Sequence, residues 1–365
     1  MPFCPFNTTH KVSSVVMTAK QNLSILYLGR RGGGAKFALM LSKQLSSSTI
    51  FQLQKVAIRK DNELYSSFDR QKTIALFNSG ISLLAIIKVC KFLLSPQKLL
   101  NSLGIKRGEV CLIPMISPIG LVIEAILNRQ GVYILRFLHD AKRHPGDVWP
   151  TSRTINRIIT HSSFLITLSN NVAKQILVLN PNIIVEIYEH PTFDFSEELD
   201  KLELPKKYFL FLGRIRKYKG LAILIEAFRM QKNTEISLVI AGEGRINEKL
   251  PNNLMLLNRW LLEDEISELV RHATVICFPY IESSQSGLIP FCISKNKTLV
   301  ITPNDGLVEQ VGKYKNVVIS NGYSVSEFKD AMEAAIKLSD TKISETYFKE
   351  TSLEKCILKS PHFLK

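Results

Sequence analysis

Three stretches of the sequence place cations, glycines or histidines where an apolar run gives way to a helical pattern. The first is "LYLGRRGGGAKFAL", residues 26–39, in which Gly29 and the glycines at 32–34 follow a strand-like run ending at Leu28. Glycine permits close backbone approach, and a helix N-terminus offers free N–H groups and the positive end of a dipole, so such a turn can hold an anion. Neither common nucleotide motif is complete. Gly29 and Gly34 have Walker A spacing, but Ala35 follows, Lys36 stands one place late and no Ser/Thr comes after it for Mg²⁺. In the dinucleotide fingerprint, Phe37 occupies the third glycine's place after Gly32 and Gly34, and "STIFQLQKVA" supplies no acid for a ribose. An anion cradle, to which Gly33 and Gly34 would contribute, and a tight turn without a ligand both stay open here.

The second stretch, "FLFLGRIRKYKGLAILIEAFRM", puts Gly213 and Arg214 at a strand end and Lys219 and Gly220 at a helix start. Leu221, Leu224, Ile225 and Phe228 recur at the spacing of one helix face. A guanidinium fork and an ammonium point charge in one strand-to-helix loop suit a diphosphate. The alternative is a pair of solvated cations flanking the helix. The third, "LRFLHDAKRHPGDVW", ends a buried run with His139 and Asp140 and turns through His144, Pro145, Gly146 and Asp147. A histidine there can exchange protons or bond a hydroxyl, or simply hydrogen-bond to backbone in the turn.

The elements that must position these residues follow from periodicity. In the first half, runs such as "LSILYLG", "EVCLIPMIS", "GVYILRFLHD" and "SFLITLS" alternate with helical segments around 35–46, 81–103, 118–129 and 170–179; from "KKYFLFLGR" the same alternation begins again, with helices near 219–230, 263–272 and 286–295. Alternating strand and helix predicts an α/β fold with parallel, doubly wound sheets. At 365 residues the chain exceeds one core's usual size, so two domains are expected. "EIYEHPTFDFSEELDKLELPKK" has two prolines and clustered acids, the composition of a hinge, which sets a boundary near residues 190–205. Ligands of such sheets sit at the strands' carboxyl ends, so two of them point at a shared cleft.

Composition narrows the chemistry. The six cysteines form no CxxC pair and no histidine lies at zinc-ligand spacing, which fits a reducing, cytoplasmic setting without a metal cluster. Residues 1–22 lack an apolar core of signal-peptide length and read as a disordered leader, with initiation at Met17 conceivable. The net charge of +15 is lopsided: residues 1–190 hold 23 Lys+Arg against 9 Asp+Glu, and residues 191–365 hold 24 against 23. A basic half attracts anions such as nucleic acid, a lipid surface or phosphorylated substrate. No nucleic-acid motif or interleaving of aromatic and basic residues is present, so nucleic acid is not expected as a partner. Residues 79–108 combine apolar bulk with Lys88, Lys91, Lys98, Lys106 and Arg107. Such a stretch suits an anionic membrane surface, or a domain helix with its lysines toward solvent.

The order "GRIRKYKG", "LVIAGEG", "FPYIESSQSGLIP", "VITPNDGLVEQV" over residues 205–315 resembles the C-terminal half of the GT-B glycosyltransferases, specifically glycosyltransferase family 4. The resemblance implies a GT-B fold, two Rossmann-like domains facing a central cleft. It divides the chain into the leader, an acceptor-side domain (23–190), a hinge (191–205), a donor-binding domain (206–340) and a tail (341–365), for which a return to the N-terminal domain is one arrangement. Arg214 and Lys219 would grip the donor's pyrophosphate, with Gly213 at the strand end and Gly242, Glu243 and Gly244 near the nucleotide. Glu282, Ser286 and Gly287 would lie beside the sugar and its phosphates, Glu309 would shape the donor pocket, and His139, with Asp140 as neighbour, would lie at the reaction centre. One departure stands out. The family's two glutamates, separated by seven residues, are absent as a pair: counting from Glu282 the second place is Pro290, and aligning on Gly287 gives Ser284 and Cys292. The "ESSQSG" form looks like a subgroup in which Ser286 and the backbone at Gly287, opening a helix, take over the anion contacts.

The resemblance further implies a retaining, metal-independent transfer of a sugar from a nucleotide-diphosphate sugar, a co-substrate rather than a cofactor, to a lipid-linked or nascent polysaccharide acceptor in cell-surface polysaccharide biosynthesis. The protein would be cytoplasmic or peripheral on the membrane's inner face. A non-catalytic nucleotide-sugar-binding or scaffold protein of the same fold is the alternative, motivated by the missing glutamate.

Overall fold

The computed structural model describes residues 20–80, 82–145, 148–195, 201–231, 235–341 and 352–364. Most of the expected leader, Ile81, Gly146, Asp147 and part of the hinge lie outside the described residues. At residues 20–22 the leader expectation is corrected: strand β1 begins at Gln21, whose N–H donates to Ile50 O at 2.9 Å.

The N-terminal domain runs β1 (Gln21–Leu26), α1 (Gly33–Ser46), β2 (Phe51–Arg59), β3 (Thr73–Phe77), α2 (Leu83–Leu94), α3 (Pro96–Leu103), β4 (Val110–Ile113), α4 (Pro118–Arg129), β5 (Tyr133–Arg136), α5 (Ser152–His161), β6 (Phe164–Thr167), α6 (Asn170–Leu179) and β7 (Ile184–Ile187). Short apolar runs form the strands. Helix starts are fixed by Ser82, Ser117, Thr151 and Ser169, whose hydroxyls each accept an N–H of the first turn. Prolines at the first turns of α3 and α4 sit where no helical N–H is needed. The sheet order is β3-β2-β1-β4-β5, and a bridge from Phe137 to Ile166 passes it on to the β6-β7 pair.

The C-terminal domain runs β8 (Tyr208–Leu212), α7 (Leu221–Arg229), β9 (Ser237–Ala241), β10 (Leu254–Leu257), α8 (Glu263–His272), β11 (Val275–Phe278), α9 (Ile289–Ser294), β12 (Thr298–Ile301), α10 (Asp305–Val311), β13 (Val317–Ile319) and α11 (Val325–Ser339). Its sheet, β10-β9-β8-β11-β12-β13, repeats the first one's order, and every pairing in both is parallel. In each sheet the winding reverses between the first and fourth strands, β1/β4 and β8/β11. The crevice at such a switch point is where open α/β sheets bind ligands. The loops after those four strands carry the glycine stretch, Met115, Arg214 to Lys219, and the "ESSQSG" segment.

Helix α9 is shorter than expected and starts at Ile289, so Ser286 and Gly287 stand in the turn before it. A last helix, α12 (Leu353–Leu358), lies against α1; Lys359 pairs with Glu186 at 2.8 Å, and the rings of Phe363 and Phe51 are 5.5 Å apart. The C-terminal segment therefore rests on the N-terminal domain. In the hinge, Phe193 and Phe195 are buried, and the Phe195 ring lies 4.5 Å from Phe291, joining the two cores.

The turn from β8 into α7 depends on Gly220. It caps α7 with φ 65°, and a Cβ there would stand 1.8 Å from the carbonyl oxygen of Pro279 in the loop after β11. Gly220→Ala should lower the unfolding free energy by about 2 kcal/mol or more, read by denaturant titration; an unchanged midpoint would show that the turn relaxes freely.

Candidate active site between the two sheets

The floor of the cleft is a contact between two glycines. Gly213 ends β8 with φ 129° and Gly242 ends β9 with φ 140°; a Cβ on Gly242 would stand 2.1 Å from Gly213 O. The adjacent strand ends close together because Gly242 has no side chain. Over this floor lies Lys219, whose ammonium is 3.1 Å from where a Gly213 Cβ would be and donates to Tyr280 Oη at 3.0 Å. Arg214, Lys219, Gly213, Glu243, Ser286 and Gly287 line one cavity of about 430 Å³. A larger depression of about 900 Å³ lies elsewhere, between α4 and α5, and contains none of the residues the sequence singled out.

The opposite wall is the glycine loop. Gly33, the first residue of α1, lines the cavity, whereas Gly34 does not. A Cβ on Gly34 would meet Met115 Sδ and Tyr27 Oη, each at 2.9 Å, so this glycine serves internal packing and its expected place in the donor site is corrected. The anion at the loop is part of the chain: Gly32 N–H donates to Glu63 Oε1 at 2.6 Å.

Cations of this wall reach across to acids of the other domain. Arg31 pairs with Glu243 at 2.8 Å and lies 4.3 Å from the Trp260 ring. Lys36 pairs with Glu263 at 2.6 Å, donates to Asp194 O at 3.1 Å and covers the Phe195 ring; burial lowers its pKa. Lys36, Trp260, Glu63 and Gln285 are cavity residues that the sequence reading did not select. Lys36 and Gln285 lay inside quoted motifs; Trp260 and Glu63 carried no local signal.

His139 is held by both domains. Pro114 O, an acceptor, takes a hydrogen bond from Nε2–H at 2.8 Å, which leaves Nδ1 to accept from Gln285 Nε2 at 3.3 Å. With Phe37 edge-on at 5.1 Å, burial lowers the imidazole pKa, favouring the neutral form. Asp140 accepts from His144 Nε2 at 3.0 Å; burial raises its pKa, but hydrogen bonds from His144 and Ser284 hold it below the usual carboxylate value. The His144 ring stacks on Tyr218 at 4.9 Å, and its Nδ1 is 3.5 Å from Glu282 Oε1. Glu282 thus faces His144 and is not among the cavity-lining residues.

The remaining expectations divide. Gln310 clamps Ser286, taking its N–H on Oε1 and giving Nε2–H to its carbonyl, both at 2.8 Å, so the Ser286 amide is committed within the protein. Ser286 and Gly287, which the sequence reading gave the anion contacts, both line the cavity, in the turn before α9 rather than inside the helix. Gly287 leaves room for Phe193, 3.0 Å from where its Cβ would stand. Glu309 lies apart from the donor cavity: its carboxylate caps α6, accepting from Asn171 N at 2.9 Å and Asn170 Nδ2 at 2.8 Å. Its expected role in shaping the donor pocket is corrected to a tie between domains. Pro290 and Cys292, at the two places aligned with the second glutamate, are buried in α9. Among the described residues there is no group of three or more His, Cys, Asp or Glu able to hold a metal ion.

Residues 194–352 match the family described as "Glycosyl transferases group 1". No curated protein matches the sequence. Sucrose-phosphate synthase from Thermosynechococcus elongatus is similar in structure, with TM-score 0.66 and 13% identity over 88% of this chain and 92% of that one. Anabaena HepE, in complex with UDP and glucose, gives TM-score 0.63 and 13% identity over 87% and 90%. The apo form of lipopolysaccharide outer core galactosyltransferase WaaB gives 0.57 and 12% over 87% and 90%. At these identities the likeness shows the fold, which is GT-B. Together with the group 1 match, it supports a GT-B glycosyltransferase.

The seam between the domains contains a second neutral histidine. His190 Nδ1–H donates to Pro191 O at 2.9 Å beside Phe193, and burial, with His139 nearby, pushes its pKa down to about 4 from 6.5. The unfolded chain then binds more protons than the native one between those values, so this histidine costs stability as pH falls through that window. Denaturant midpoints measured from pH 7 to pH 4 should fall less steeply in His190→Gln than in the wild type; identical slopes would assign the pH dependence elsewhere.

Proposed function

We propose that the protein transfers a sugar from a nucleoside diphosphate sugar to a lipid-linked or nascent saccharide acceptor, with retention of anomeric configuration and without a metal ion. The observation that carries the reading is Arg214 and Lys219, together on the cavity wall at the end of β8, above a glycine floor and opposite the N-terminus of α1. Bond breaking at the anomeric carbon leaves negative charge on a diphosphate, and preformed cations stabilise such charge in the transition state. In this mechanism the acceptor oxygen bonds to the anomeric carbon from the face the diphosphate leaves, and a departing phosphate oxygen takes the acceptor's proton. No protein nucleophile is needed. Two of the similar structures, a UDP and glucose complex and a lipopolysaccharide galactosyltransferase, agree with a nucleotide donor and a glycan acceptor.

His139 acts in this scheme as a neutral imidazole near the transferred sugar. Its Nε2 proton is fixed by Pro114 O, so Nδ1 is the atom able to accept from a sugar hydroxyl once Gln285 yields. The second reading, a nucleotide-sugar-binding protein without turnover, is favoured by one observation: Pro290 and Cys292 put buried, non-carboxylate side chains where the resemblance has its second glutamate.

Arg214→Ala and Lys219→Ala should each lower kcat by about 10²–10³ with melting nearly unchanged, and near-normal turnover in either variant would remove the assignment. Wild-type protein should release nucleoside diphosphate when an acceptor is added and should keep doing so in EDTA. Stabilisation by the donor without that release would establish the binding reading, and loss in EDTA would overturn metal independence. Screening UDP-, GDP- and TDP-sugars by thermal shift identifies the base, since a ligand at a hundred times its Kd adds about 2.7 kcal/mol.

A further inference from the structure

Helix α2, sequence LLAIIKVCKFLL, lies on the outside of the N-terminal domain against α3 and α4 and buries only Ala85 and Phe92. Leu83, Leu84, Ile86, Ile87, Leu93 and Leu94 are exposed, Leu84 by 71% and Leu94 by 87%. Single exposed aliphatics are ordinary, but six on one helix of twelve residues make a contiguous apolar patch, which marks an interaction surface. The patch continues onto α4, because Leu93 and Val122 line the same depression. The helix packs on the domain with Lys91 toward solvent, as one sequence reading has it, but most of its aliphatic residues are turned outward as well. Lys88 is partly buried over the rings of Phe77 and Phe92, while the aliphatic residues face outward.

The charge around the patch selects its partner. From residue 70 to residue 108 the chain holds seven Lys/Arg and no Asp or Glu, and Lys91, Lys98, Lys106 and Arg107 are exposed. Exposed aliphatic residues on a segment this rich in cations complement an anionic lipid headgroup layer over its acyl chains. No described helix is long and apolar enough to cross a membrane, so the contact is with its surface. Orientation agrees with use: α2 follows the carboxyl end of β3 and α4 that of β4, the sheet edge that faces the cleft. We propose that α2 is the face with which the protein lies on an anionic bilayer, presenting the cleft to molecules carried in that bilayer. This deepens the lipid-linked reading of the acceptor, but its test reads binding rather than turnover, so the two can fail separately.

Full-length protein should co-sediment with vesicles of phosphatidylcholine mixed with phosphatidylglycerol, weakly with phosphatidylcholine alone, and less as salt rises. Leu84→Glu and Leu94→Glu should each weaken binding by roughly ten-fold or more, because each loses burial of an aliphatic side chain and adds a like charge. Both positions are exposed, so melting should not move, and turnover of a water-soluble acceptor should stay at the wild-type level. Cys90 is exposed on the same helix, whereas Cys111, Cys277, Cys292 and Cys356 are buried. An environment-sensitive dye placed there after Cys4→Ser should shift to the blue on mixed vesicles. Equal binding of wild type and both variants, no vesicle binding, or unshifted dye emission would overturn the proposal. So would a wild-type dimer that Leu84→Glu dissociates, which would assign the patch to a second copy of the chain.

Discussion

The site rests on a contact from which side chains are excluded, that of Gly213 with Gly242 at the carboxyl ends of β8 and β9. Parallel strands end on one edge of their sheet, so every loop able to touch a ligand crowds the same few ångströms. With Gly242 against Gly213 O, the two loops fold flat and leave the space above them to Lys219 and Arg214. Gly220 repeats the device one turn later, where the α7 start passes under Pro279 O. Together these glycines keep the β8 loop beneath the β11 loop, and the Lys219 ammonium is aimed by Tyr280 from that second loop. Position here comes from backbone, which is why a flexible four-carbon side chain can stand at a defined place.

Across the cleft the contacts are of a different kind. Arg31 with Glu243 is an exposed pair, and such pairs contribute about 0–1 kcal/mol. Lys36 with Glu263 is better sheltered and reinforced by Asp194 O and the Phe195 ring, but its lowered pKa records that burial opposes the charge it carries. Glu309 at the N-terminus of α6 gains from two backbone N–H groups and from the helix dipole, an effect of about 0.3–1 kcal/mol at a surface. The apolar part of the seam, from Phe37 through His190 and Phe193 and from Phe195 to Phe291, is continuous with the cores of both domains. The hinge side is thus fixed by burial, while the mouth is held by individually weak polar pairs.

What the sequence disclosed follows this division. Alternating apolar runs and helical faces report burial, and burial decides sheet order, so two doubly wound domains and the strand-end positions of Gly213, Arg214, Lys219, His139 and Asp140 were legible from local pattern. Gly34, Glu282 and Glu309 were not, because each depends on what stands opposite: Met115 and Tyr27 behind Gly34, His144 beside Glu282, the α6 terminus before Glu309. Helix α2 shows the same limit. Nearly all its residues are apolar, so periodicity alone cannot say which side the domain covers, and only the packing of α3 and α4 reveals that the covered side is the small one.

The weak pairs at the mouth also bear on how an anionic donor would be received. Arg31 and Lys36 hold Glu243 and Glu263, and Gly32 N–H holds Glu63, so the N-terminal wall has its positive groups matched by carboxylates. A diphosphate bound as proposed would compete for those same cations with two charges instead of one. Displacing Glu243, the exposed one, would cost little, since the freed acid returns to water. Displacing Glu309 from α6 would instead strip a helix terminus of its cap. Glu243 is therefore the most readily exchanged of these carboxylates, and Glu309, which joins the domains at α6, the most firmly held. On that ordering the glycine-loop wall would release charge to a donor, whereas Arg214 and Lys219 stand on the cavity wall already.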